Sequence, residues 1–219
     1  MRIHLLGYSE STISRILDSL LLHGYSEEVI IVQNMGVEEK VPFCPQGIGF
    51  KIIKHEQWRF DPADHSCLLG VTKPRVKKIV YDFFLNNSHV QQQNYISLFH
   101  PSAVISSTAK LGNASFIEPG TVIASFAILG FGVYINRGAS IGHHTILNDF
   151  VTINPGVHIA GHCNIGKGTM IGMGCSVFDH INIGSNTVIG GGSIVTKDIP
   201  DNVIAWGNPC RIIRANETN

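Results

Sequence analysis

The sequence predicts two architectures in series: a small parallel α/β domain, then a parallel β-helix of six-residue repeats. Three observations carry this. An aliphatic residue recurs every six positions from Ile105 to Val195 without a break. A second series of mostly small residues stands two positions before each of them. The first hundred residues lack that period and alternate strand-like with helix-like segments.

The early elements follow in order. Ile3–Gly7 is a short apolar strand. Ser11 or Thr12 can cap a helix through Leu22, with Ile13, Ile16, Leu17, Leu20 and Leu21 apolar and Gly24 as a stop. Glu28–Gln33 and Cys67–Val71 read as strands. Pro74 opens a helix to about Leu85, with Val76, Ile79, Val80 and Phe83 on one face. Tyr95–His100 is expected as a fourth strand. The stretch between Asn34 and Asp64 carries no clear pattern. Strand–helix–strand order implies a parallel sheet. The boundaries drawn are 1–98 for this domain, 99–198 for the β-helix and 199–219 for a tail.

The repeat is the strongest signal. Its aliphatic positions are Ile105, Leu111, Ile117, Ile123, Leu129, Ile135, Ile141, Leu147, Ile153, Ile159, Ile165, Ile171, Val177, Ile183, Ile189 and Val195. A strand alternates faces with period two, so this series and the small one before it both point inward. The residue after each aliphatic is often Gly or Asn, as at Gly112, Gly130, Asn136, Gly142 and Asn154. These types accept positive φ at low cost and are expected to turn the corner. Three six-residue sides close a coil of eighteen residues. Residues eighteen apart then stack one strand spacing apart, ~4.8 Å. After Val195, Pro200 and Pro209 break regular structure, and the tail is expected to fold back over the open end of the solenoid.

Composition bounds the function. The 219 residues are 44% hydrophobic and 15% charged, which is globular rather than disordered. Lys+Arg and Asp+Glu are both 16, so no basic face for nucleic acid is expected. Five cysteines form no CxxC pair, which argues against a disulfide framework or a zinc knuckle. No run approaches the roughly 18 apolar residues of a membrane span, and the N-terminus has no signal-peptide pattern. A cytoplasmic protein is expected.

Histidine is the residue with chemistry. Five of the eleven fall in the repeats: His143, His144, His158, His162 and His180. His143 and His144 follow Ile141 by two and three positions, on the outside near a corner. A neutral imidazole there can take a proton from an attacking amine or hydroxyl; a solvated turn histidine is the alternative. His144, His162 and His180 are eighteen apart and should stack in one column. A flat ladder does not supply the convergence of a zinc site, so a hydrogen-bonded or interface ladder is expected and no metal. In the first domain, Gly7-Tyr-Ser-Glu-Ser follows a strand and opens a helix. That is either a place for a nucleotide phosphate or an ordinary βα turn.

The segments SLFHPSAVISSTAKLG, INRGASIGHHTILNDFVTINPGVHIAG, VIGGGSIVTKDIP and GNPCRIIR resemble the NeuD-type sugar acyltransferases. That family includes sialic acid O-acetyltransferases and N-acetyltransferases of nucleotide-linked 4-amino sugars, such as the bacillosamine-pathway enzyme. The resemblance implies a Rossmann-like first domain, a left-handed β-helix and a homotrimer with active sites between subunits. It implies acetyl-CoA as co-substrate and a sugar nucleotide as acceptor. His143 matches the family's general base, acting on the acceptor directly with no acyl-enzyme. Asn136 falls near the acceptor, and Thr152, Gly161 and Met173 fall at coenzyme positions. Ser9, Glu10, Ser11, Gln33, Asn34 and Gly70 fall around the nucleotide. Two residues depart from the pattern. His144 stands where an acidic partner of the base is usual, leaving Asp149 as another candidate. Gly7-Tyr-Ser-Glu-Ser replaces a glycine-rich loop. N-acetylation of a nucleotide-linked amino sugar is the leading expectation. The alternatives are sugar O-acetylation, a non-catalytic trimeric binding protein, and a metal enzyme built on the histidine column.

Overall fold

A computed structural model describes residues 2–34 and 44–217. The chain divides into two units, Met1–Pro101 and Ser102–Asn219.

The first unit contains β1 (Arg2–Leu6), α1 (Glu10–Leu22), β2 (Val29–Gln33), β3 (Phe50–Lys54), β4 (His65–Leu69) and α2 (Pro74–Ser88). All four strands are parallel, in the order β3-β2-β1-β4. β1 and β4 are buried along nearly their whole length, as strands covered on both faces must be. α1 turns Ile13, Ile16, Leu17 and Leu20 into this core.

Several boundaries differ from expectation for identifiable reasons. α1 begins one turn early. Ser9 is its N-cap, because the Ser9 carbonyl accepts from the Thr12 and Ile13 amides at 3.0 and 2.9 Å. Ser11 and Thr12 therefore lie inside the helix. α2 runs on to Ser88, and its buried face holds Lys77, Val80 and Phe84, while Ile79 is exposed. The fourth sheet strand is β3, from the stretch without pattern. It is a half-exposed edge whose Lys51 and Lys54 face solvent, so it lacks an apolar run. The Tyr95–His100 segment yields only the two-residue strand Leu98–Phe99, while Tyr95 bridges to Cys67.

The core of the first unit holds a pH-sensitive contact. His4 is 3% exposed, and its Nδ1 accepts from Trp58 Nε1 at 2.8 Å. Its ring stacks on His65 at 4.0 Å. Burial, then the neighbouring His65 and Arg2 charges, pull its pKa down to about 4. Unfolded His4 takes a proton below pH ~6.5, whereas folded His4 does so only near 4. The unfolded chain thus binds more protons in that window. The stabilisation is complete above pH ~6.5 and is lost as pH falls toward 4, on the order of 3 kcal/mol. Urea midpoints followed by Trp58 fluorescence in a Trp206→Phe background should fall across that window. A flat profile would contradict this.

The second unit is the solenoid. Its first side stacks Val104–Ile105, Val122–Ile123, Ser140–Ile141, His158–Ile159, Ser176–Val177 and Ile194–Val195. Its second side stacks Lys110–Leu111, Ile128–Leu129, Ile146–Leu147, Asn164–Ile165 and Asn182–Ile183. Its third stacks Phe116–Ile117, Tyr134–Ile135, Thr152–Ile153, Met170–Ile171 and Val188–Ile189. Each strand pairs in parallel with the one eighteen residues on, as Ser140 with His158 and Ile141 with Ile159. From Ser115 to Val195 both inward series are buried throughout. Inward threonines such as Thr145 and Thr169 satisfy their hydroxyls on the Ala160 and Gly184 carbonyls. The tail extends the third side with Val203–Trp206, then turns back as the antiparallel strand Arg211–Ala215.

The corners correct one expectation. Positive φ falls three residues after the aliphatic position, at Gly120, Gly132, Gly138, His144, Phe150, Gly156 and His162 among others. The glycine one residue after it has another purpose. A Cβ on Gly142 would lie 2.4 Å from the Ala160 carbonyl carbon, and one on Gly112 would lie 2.5 Å from the Gly130 oxygen. These glycines let neighbouring coils touch backbone to backbone.

Candidate active site

The corner between the first and second sides projects the histidines. His144, His162 and His180 hold φ of 58°, 57° and 59°. Histidine is among the few side chains enriched in that left-handed region. The shared conformation aims the three rings off one edge, one coil apart. His144 and His162 stack at 4.9 Å with 14° between planes, and His162 and His180 at 4.8 Å with 3°. Phe126 covers the other face of His144 at 4.9 Å. The expected column is therefore present.

His143 stands across this column. Its ring is perpendicular to those of His144 and His162, at 89° to both. Its Nδ1 lies 3.1 Å from His144 Nδ1, a hydrogen bond in which one ring donates and the other accepts. With His143 as donor, its Nε2 carries a free lone pair. The ring sits over Gly161, whose missing Cβ would lie 2.8 Å from His143 Cε1. The pKa of His162 is lowered, by desolvation and then by His180, His144 and His143. The neighbouring rings thus disfavour a charge on His162.

Asp149 belongs to the next corner. Its Oδ1 accepts from the Phe131 amide at 2.9 Å and its Oδ2 pairs with Lys167 at 3.6 Å. His144, not Asp149, is thus the partner of His143. A groove of about 650 Å³ along the second side is lined by Asn164, Lys167, Asn182, Asp198 and Asp201; no histidine lines it.

Of the other solenoid candidates, Gly161 is beside His143. Asn136, Thr152 and Met173 are on the third side or at the corner after it, so one chain does not bring them to His143. Asn136 is buried, and Met173 is 64% exposed. Next to Asn136 is a carboxylate that sequence reasoning missed. Glu118 is 2% exposed, accepts from the Tyr134 hydroxyl and pairs with Arg137 at 3.8 Å. Spacing places His162 only in the ladder; its edge contact with His143 depends on ring orientation, which spacing does not encode.

In the first unit, Gly7, Gln33 and Gly70 meet at the carboxyl ends of β1, β2 and β4, where the Gly7 amide bonds Val32 and the Gly70 amide bonds Leu6. A Cβ on Gly70 would lie 2.4 Å from the Gly7 oxygen, so the glycine there is sterically required. Asn34 follows β2, and Ser9 opens α1. Thr12 joins this end by bonding Ser9 Oγ at 3.1 Å. The amide nitrogens of Gln33 and Asn34 are buried without a partner among the described residues. Glu10 and Ser11 are exposed on the first turn of α1.

Fold and site together define a class: an α/β unit followed by a left-handed parallel β-helix with a histidine pair on an outward corner. A scan of protein-family models gave no match, and a search of curated proteins gave none either. Solved structures do match. The chain is similar to a variant of perosamine N-acetyltransferase from Caulobacter crescentus, in complex with coenzyme A and GDP-perosamine. That match has 22% identity, covers 97% of each chain and has a TM-score of 0.80. The acetyltransferase domain of PglB from Neisseria gonorrhoeae, in complex with acetyl coenzyme A, matches at 22% identity over 97% of this chain and 98% of that one, TM-score 0.78. WeeI from Acinetobacter baumannii matches at 21% over 97% and 100%, TM-score 0.69. At these identities the likeness is one of fold. Among the described residues, no helix is long and apolar enough to cross a membrane.

Proposed function

We propose that this chain is an acetyltransferase of the sugar N-acyltransferase type. It moves an acetyl group from acetyl-CoA to the amine of a nucleotide-linked amino sugar. The observation that carries the reading is the His143 ring, held through Nδ1 by His144 on an exposed corner with Nε2 free. The fold likeness supplies the chemistry to test, since similar structures hold coenzyme A with GDP-perosamine, or acetyl coenzyme A.

The mechanism follows from these atoms. The neutral acceptor amine attacks the thioester carbonyl while His143 Nε2 takes its proton, forming the C–N bond. The tetrahedral intermediate collapses, the C–S bond breaks, and the coenzyme A sulfur leaves with the proton from His143 Nε2. No acyl-enzyme forms. His144 Nδ1 accepts the His143 Nδ1–H throughout, fixing the tautomer in which Nε2 is the base. A neutral acceptor orients the ring without the charge that a carboxylate would add.

The first unit holds the nucleotide in this reading. The side-chain amides of Gln33 and Asn34, buried without a partner among the described residues, support it, because buried donors gain most from a ligand acceptor. A homotrimer completes the site, bringing the Asn136 and Met173 corner of one copy against the histidine corner of another. Exposed Val122, Phe126, Ile128 and Ile146 beside the histidines support this, as apolar surface that a neighbour would cover. The test is thiol release from acetyl-CoA with a panel of nucleotide-linked amino sugars, on protein whose scattering mass is three times that of the chain. Turnover with an amino sugar and none with its hydroxyl counterpart is the expected result. The reverse preference would make it an O-acetyltransferase, and none with either would refute transfer to sugars.

A further inference from the structure

Around His143 the corner carries more nitrogen lone pairs than a single base requires. His143, His144 and His162 each offer a ring nitrogen, and the three lie within 4.8 Å of one another. In a tetrahedral site with Zn–N near 2.0–2.1 Å, adjacent nitrogens stand about 3.3 Å apart. The His143 and His144 Nδ1 atoms are already 3.1 Å apart. His162 must close at most about 1.5 Å to join, and its ring is exposed. Neither of its nitrogens is hydrogen-bonded among the described residues.

The flat ladder of His144, His162 and His180 lacks convergence, since parallel rings direct their lone pairs along parallel planes. His143 changes that. Its ring is at 89° to both His144 and His162 and supplies the second direction. The backbone fixes the rest. His144 and His162 share the left-handed corner conformation, so two ligands project from one edge a coil apart. His180 is two coils from His144 and outside the set.

We propose that His143, His144 and His162 form a binding site for a divalent transition-metal ion of the zinc, nickel or copper type, and that its occupancy blocks transfer. An all-imidazole set favours these ions over magnesium or calcium, with water in the remaining positions. Binding needs no net proton loss. The proton shared between the two Nδ1 atoms moves to a ring Nε2, and both Nδ1 lone pairs go to the metal. His143 Nε2 is then an N–H donor and no longer a base. The inhibitory half rests on His143 as the base; the binding half does not.

The test uses the full chain, first by Co²⁺ absorption and Zn²⁺ calorimetry without substrates. One ion per chain is expected. His162→Asn should bind at least 10-fold more weakly and His180→Asn as well as the native protein. Asparagine suits this corner, because Asn186 already occupies the same register at φ 52°. No bound ion, or equal affinity in His162→Asn, would overturn the site. In the second arm, thiol release is followed against Zn²⁺, each protein compared with its own metal-free rate. Inhibition reversed by chelator and weakened by His162→Asn is expected. Normal metal binding without inhibition would refute the block and leave the site standing.

Discussion

Replacing His143 with alanine should lower the rate of thiol release by about 10²–10⁴-fold, the range for a lost general base. The fold should survive, because the ring is exposed and its one hydrogen bond among the described residues is to another exposed ring. An unchanged melting curve and assembly state would separate loss of chemistry from loss of structure. Gly161→Ala is the informative companion. Its new Cβ would press on His143 Cε1 and Nε2 at 2.8 and 2.9 Å, atoms at the end of a side chain that can swing away. That substitution should spare stability and displace the base, and a displacement near 1 Å can cost about 10²-fold. A His143→Ala enzyme with near-native turnover would sink the mechanism, and equal stability loss in both variants would make the corner merely structural.

How far this was legible in the sequence depends on the period that each feature carries. The solenoid repeats every six residues for sixteen positions, so its inward faces and coil length follow from alternation alone. The column of His144, His162 and His180 follows from the same arithmetic. The His143 to His144 bond does not, because adjacent residues on a corner meet only when χ angles bring the two Nδ1 atoms together. Spacing likewise cannot exclude Asp149, which is five residues from His144 but around the next corner, tied to Lys167. Glu118 is not legible in the sequence because a lone acid in a repeat reads as a solvated turn; its burial comes from Tyr134 and Arg137, contributed by the following coil. In the first unit, β3 escaped because an edge strand needs no apolar run, and its lysines hide the alternation.

Glycine is where the sequence and the structure diverge most usefully, and it carries the second large prediction. Gly138 and Gly142 look equivalent as turn residues of one coil. Gly138 has φ of +66° and no atom within 4 Å of a would-be Cβ. Alanine there faces only the backbone cost of the left-handed region, about 1–2 kcal/mol. Gly142 is outside that region, yet its Cβ would meet the Ala160 carbon at 2.4 Å, the Ala160 oxygen at 2.5 Å and the Gly161 nitrogen at 2.6 Å. Those are backbone atoms of the next coil, fixed by the 2.8 Å bond from the Gly142 amide to the Ile159 oxygen. Nothing flexible can yield, so the coils must part where the bond holds them. Gly142→Ala should therefore cost about 3 kcal/mol or more, against 5–15 for a whole domain. In a solenoid that loss acts on one coil-to-coil interface. Amide exchange should accelerate first around Ile141 and Ile159, with melting lowered by on the order of 10 °C. The same opening would unseat His143 from Gly161, so activity should fall with stability in Gly142→Ala and persist in Gly138→Ala. Equal destabilisation by the two alanines would mean that both glycines serve the turn, and that coil contact places no demand on the residue after the aliphatic position.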